Sequence, residues 1–236
     1  MKQIVHLYFY TDSVGFPRID TQSIQQTWPF LLTERLEAKY GVRVYPLHRG
    51  LGGATISEIY NVFLRDIGYF RGQGSDTASI VILNTGVVDA SPQPFTFFLR
   101  GIARIPLVGP KIWHYVRKPL VANRPLLQRI CSYRRTNPRH FSLLFRRIIR
   151  LAKRQEMHVF SIDTPLTPVA MESRSPGLRS SIGEYNSIKR QNNNIMHLDM
   201  SWCREECFLE DGHHFTLEAH KLLSEQLLNQ VSACLN

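Results

Sequence analysis

The chain has no run of 18 or more apolar residues, so nothing in it reads as a membrane-spanning helix. Cysteine is scarce: Cys131, Cys203, Cys207 and Cys234 are scattered, and the 203/207 pair has no matching second pair. That excludes a disulfide framework and the usual zinc-site spacing, and a reduced, cytoplasmic setting is expected. No internal repeat or heptad pattern occurs, which excludes solenoids and coiled coils. The sharpest absence is of negative charge: residues 90–155 contain no Asp or Glu. The segment 100–154 holds 15 of the 29 Lys and Arg residues, and the other 14 face all 19 acidic residues, a balance of −5. The formal charge of +10 therefore belongs to a basic insert in a mildly acidic chain.

What is present reads as alternating strands and helices over 236 residues, enough for one domain with a sizeable core. An apolar run from Ile4 to Tyr10 predicts a buried first strand. His6 interrupts it and no small-residue cleavage site follows, so it reads as a strand rather than a signal peptide. Helical spacing of Trp28, Leu31, Leu32 and Leu36 predicts a helix from Ile24 to Tyr40, stopped by Gly41. Further strands are predicted at 42–47, 78–83, 157–162 and 195–198. Further helices are predicted at 56–67, 141–154, 182–190 and 215–234. A Pro/Ser-rich loop is expected over 164–181, and residues 92–140 form a proline-broken basic insertion. The alternation implies a three-layer α/β/α sandwich with a parallel sheet of five strands.

In that architecture, loops after strands converge on one edge of the sheet. They offer Ser13, the Gly52-Gly53 turn, the segment from Asn84 to Asp89, and Asp211 with His214. A serine hydroxyl needs a neighbouring base, and the base needs an orienting partner. Ser13, His214 and Asp211 supply those three parts. Glycine at 53 leaves room for a backbone N–H to approach an oxyanion. His213 is expected to be structural or exposed, and Cys203, Cys207 and His213 form a weak candidate metal set.

Asp12-Ser13, Gly53, Gly86 to Asp89 and Asp211-x-x-His214 resemble, in order, the four blocks of the SGNH/GDSL hydrolase family. Ser13-x-x-x-Pro17-Arg18, Thr27-Trp28-Pro29 and Tyr185-Asn186 also resemble a bacterial subgroup associated with surface-polysaccharide biosynthesis. The resemblance implies a sheet of flavodoxin-like order and a serine esterase that works without metal or cofactor. Ser13 would be the nucleophile, His214 the base and Asp211 its orienter. The Ser13 and Gly53 N–H groups would serve as oxyanion donors.

The third block departs from the family: Val88 stands where an asparagine usually completes the oxyanion hole, and Thr11 stands where a glycine usually precedes Asp12. Arg18, Asn84 and Asp89 are candidate substrate contacts, with Arg18 or Asn84 a substitute donor. The expected substrate is an acyl ester, with O-acetyl on a carbohydrate foremost. Acyl transfer to a sugar hydroxyl, or a non-catalytic role on a degenerate scaffold, are the alternatives. Residues 100–154 suit an anionic membrane surface, which would make the protein peripheral to a membrane, or an acidic glycan. Nucleic acid ranks last because no recognised binding motif accompanies the charge.

Overall fold

A computed structural model of the chain describes residues 3–16, 23–70, 77–92, 115, 123, 126 and 134–235. Five strands, β1 (Ile4–Thr11), β2 (Arg43–Gly50), β3 (Thr77–Asn84), β4 (His158–Ile162) and β5 (Met196–Leu198), form one sheet in the order β2-β1-β3-β4-β5. All four pairings are parallel. The strand order and parallel pairing match the expectation.

Strand alternation divides the core into two layers. Val5, Leu7 and Phe9 of β1 face helices α1 (Trp28–Tyr40) and α7 (Leu217–Val231). Tyr8 and Tyr10 face the opposite layer, built from α2 (Ile56–Asp66), α4 (Pro138–Arg154) and α6 (Leu178–Arg190). Two short helices, α3 (Val87–Ala90) and α5 (Val169–Arg174), lie in the loops after β3 and β4. Each fully buried Phe or Ile contributes about 1.5–3 kcal/mol through removal from water, so Phe141, Phe145 and Ile148 make α4 a major anchor of its layer.

Several boundaries differ from the sequence reading, each for a local reason. The first helix begins at Trp28 because Ile24–Gln26 form a separate 3-10 turn, with Ser23 and Gln26 closing a capping box. Helix α4 begins three residues early, at Pro138, because the Asn137 side chain accepts the Arg139 N–H and proline is tolerated in a first turn. Helix α6 begins at Leu178, not at 182, and α5 lies in the stretch read as a loop. The chain pairs Pro92 with Arg134 in an isolated antiparallel bridge, which ties the two ends of the basic insertion. Most of that insertion, and Arg18, lie outside the described residues. Among the described residues, no helix is long and apolar enough to cross a membrane.

Candidate active site

Ser13 opens a 3-10 turn at the carboxyl end of β1, and Asp12 builds that turn. The Asp12 carboxylate accepts the Val14 N–H at 3.0 Å, and the Asp12 N–H donates to the Asn84 carbonyl at 3.0 Å. The loop is thereby fixed to the end of β3. Gly15 permits a close approach, since a Cβ there would lie 2.4 Å from Thr11 Oγ1. Val14 is buried among α1 and α7, while Ser13 itself remains partly exposed.

The second part of the site is the loop before α7. Asp211 accepts N–H groups from His213 and His214 at 2.9 and 3.0 Å, and its other oxygen accepts a hydrogen bond from His214 Nδ1 at 2.7 Å. Gly212 turns with φ +68°, and Leu209 bonds the His214 carbonyl at 2.8 Å. Burial raises the Asp211 carboxyl, but the two backbone N–H groups and the His214 ring outweigh it and hold it at about 2. With Nδ1 donating to an ionised carboxylate, Nε2 carries the lone pair of a base. Neither Nε2 nor the Ser13 hydroxyl is engaged in a hydrogen bond among the described residues.

Phe215, next to His214, is buried in the same apolar layer as Val14, next to Ser13. Because every strand pairing is parallel, the loop after β1 and the loop leading into α7 both lie at the carboxyl edge of the sheet, and no hydrogen bond joins Ser13 to His214 among the described residues. A further tie links the helices behind them: the Trp28 N–H donates to His220 Nδ1 at 3.2 Å. Burial, with His214 nearby, lowers His220 to about 4, so it stays neutral and accepts.

Gly53 sits in the turn between β2 and α2 at φ +70°, the left-handed region that favours glycine. The N–H groups of Ser13 and Gly53 have no acceptor among the described residues. Val88, in α3, is half-buried and brings no side-chain donor. Asn84 is nearly buried at the end of β3, and its Nδ2 has no partner there. It lies beneath the edge rather than open to it.

Asp89 does not fit its expected place as a substrate contact. It is fully buried, accepts the Ile56 N–H at 3.0 and 3.1 Å on its two oxygens, and also takes the Thr136 hydroxyl. Its role is to cap α2 and fasten the start of α4. The acidic residue is consumed by scaffold donors because the N-terminus of α2 points at it. Burial raises its carboxyl to about 6.

The sequence reading missed a buried charge cluster behind the site. Lys189 of α6 is fully buried and donates to the Ile162 carbonyl at 3.0 Å and Thr164 Oγ1 at 3.1 Å. Its charge faces Asp163, Asp12 and Asp89. A signal existed: Lys189 falls on the same helical stripe as Leu178, Ile182 and Tyr185, where a lysine is out of place. Among the described residues, no group of three or more His, Cys, Asp or Glu side chains is arranged to hold a metal ion.

No protein-family model and no curated protein sequence matches the chain. Solved structures do resemble it. A lipase/acylhydrolase from Enterococcus faecalis superposes with a TM-score of 0.65 at 14% identity, covering 99% of this chain and 96% of that one. An acetylxylan esterase from Geobacillus stearothermophilus gives 0.59 at 12% identity, covering 97% and 94%. A member of the lipolytic G-D-S-L family from Veillonella parvula gives 0.58 at 12% identity, covering 96% and 97%. The chain has the fold that these lipolytic enzymes and esterases share, the SGNH/GDSL type of α/β/α sandwich.

Proposed function

We propose that the protein is an SGNH/GDSL-type serine ester hydrolase acting on an O-acyl group, with O-acetyl on a carbohydrate the favoured substrate. The observation that carries this reading is the Asp211–His214 pair, bonded at 2.7 Å with Nε2 uncommitted, on the sheet edge that also presents Ser13. In the reaction, Ser13 Oγ attacks the ester carbonyl as His214 Nε2 takes its proton. Asp211 stays ionised and stabilises the imidazolium. The Ser13 and Gly53 N–H groups receive the oxyanion, and His214 returns the proton to the departing alcohol. Water then enters with His214 again as base and releases the acid from the acyl-enzyme. No step needs a metal or organic cofactor.

The likeness to an acetylxylan esterase supports an acylated sugar as substrate. Acyl transfer to a sugar hydroxyl uses the same residues with a different acceptor. A role in surface-polysaccharide metabolism and a cytoplasmic setting complete the reading; the unbridged thiols of Cys203, Cys207 and Cys234 support the latter. The basic segment 100–154 would engage an anionic membrane surface or an acidic glycan. Val88 favours a second reading, a binding protein on a hydrolase scaffold, because loss of one oxyanion donor costs about 100- to 1000-fold in rate.

Hydrolysis of a short-chain aryl acetate by wild type and Ser13→Ala separates the two. Turnover by the wild type alone supports the esterase. Equal turnover removes Ser13 from its role, and no turnover by either favours the binding protein.

A further inference from the structure

The apolar face of α4 is committed to the core, which limits what its outer face can do. Phe141, Phe145, Ile148 and Ile149 are buried against the sheet, so no hydrophobic stripe remains to enter a bilayer. On the outer side, Arg139, Arg146, Arg147 and Arg150 line a groove of about 590 Å³ with Leu143 and, from α6, Ile188. None of these four guanidiniums makes an ion pair or side-chain hydrogen bond among the described residues. The flanking chain cannot neutralise them, since residues 90–155 contain no acidic side chain at all. Glu184 of α6, which faces the start of α4, is already taken by Arg134. Like charges stacked along one helix face repel one another, and an external anion relieves that repulsion.

The groove also has a direction. Helix α4 starts at the edge that carries Ser13: Thr136 bonds Asp89 there, and His140 meets Ser57 in the first turn of α2 at 3.2 Å. From Arg139 to Arg150 the helix then runs about 16 Å away from that edge, at about 1.5 Å per residue. Guanidinium groups suit planar carboxylates, which they can hold through two parallel hydrogen bonds. Among the described residues no aromatic side chain lines the groove for bases to stack on, which disfavours a single-stranded nucleic acid.

We propose that this groove binds an acidic glycan chain, whose carboxylates meet the four arginines while the chain leads towards the ester-cleaving edge. The proposal rests on the carbohydrate-ester reading above and names the polymer that carries the ester as a uronate-containing one. It makes α4 a tethering surface that raises the local concentration of acylated sugar units at Ser13.

The test uses Ser13→Ala protein, so that no turnover enters the measurement, and a polygalacturonate oligomer as probe. Calorimetric titration is run at low and high salt, with neutral dextran as control. The expected result is binding that weakens with salt, no binding of dextran, and affinity lowered about tenfold or more by the pair Arg146→Ala and Arg150→Ala. An unchanged melting temperature shows that the double variant is folded. Absence of oligomer binding, equal binding of dextran, or unchanged affinity in the folded double variant overturns the proposal. Tighter binding of phosphatidylserine vesicles or single-stranded DNA than of the oligomer also overturns it. Aryl acetate turnover is read separately on the wild type, so failure of the esterase chemistry and failure of the groove are distinguishable.

Discussion

Replacing Lys189 by methionine probes the charge cluster that supports the nucleophile turn. In the folded protein, burial raises Asp12 to about 7 and Asp89 to about 6, and lowers Lys189 to about 8. In the unfolded chain these groups return to about 3.9 for Asp and 10.4 for Lys. Both carboxyls are thus raised: their contribution to stability is complete below about pH 4 and is lost as pH rises through about 6 to 7. The lysine is depressed, so its contribution is complete above about pH 10 and is lost as pH falls through about 8.

At pH 8 the methionine variant leaves Asp12 and Asp89 in a closed interior without the Lys189 charge that lowers both carboxyls, while Arg190 still holds Asp163. Breaking a buried pair in this way costs about 3–5 kcal/mol. At pH 5 Asp12 and Asp89 are protonated, Arg190 still holds Asp163, and the variant lacks chiefly the hydrogen bonds to Ile162 and Thr164, about 1 kcal/mol. Urea unfolding of both proteins at pH 5 and pH 8 measures the difference. An equal loss at the two pH values, or a larger loss at pH 5, refutes the reasoning.

Three further outcomes follow from the site. Asp211→Asn removes the carboxylate that fixes the Nδ1 proton of His214, and kcat for an aryl acetate falls about 10²- to 10⁴-fold with little change in KM. Val88→Asn supplies a donor on α3, and kcat rises by up to about 100-fold; an unchanged or lower rate in a folded variant shows that another group already fills the role. Gly53→Ala meets no atom within 4 Å, so its effect is backbone strain at φ +70° of about 1–2 kcal/mol, visible as a lower unfolding midpoint and a slower reaction.

The fold was largely legible because its signals are local. Gly41 stops α1 in a left-handed conformation at φ +64°, β1 and β3 are near-continuous buried runs, and the buried positions of α4 repeat at the helical period. The Asp211–His214 pair was legible because the two lie three positions apart within one turn. Asp89 was misread because its partners, Ile56 and Thr136, lie 33 and 47 residues away. Lys189 escaped notice for the same reason: its meaning depends on Asp12, after β1, and on Asp163 and Thr164, after β4. The starts of α4 and α6 were missed because a first helical turn rests on capping more than on apolar periodicity.

The central claim is that Ser13 is a nucleophile activated by His214. It is tested most directly by treating the protein with a fluorophosphonate and mapping the adduct by peptide mass spectrometry. The account predicts one phosphonyl group on the peptide containing Ser13, labelling at least about 100-fold slower in His214→Ala, and none in Ser13→Ala. An unmodified Ser13 peptide, or equal labelling in His214→Ala, contradicts it.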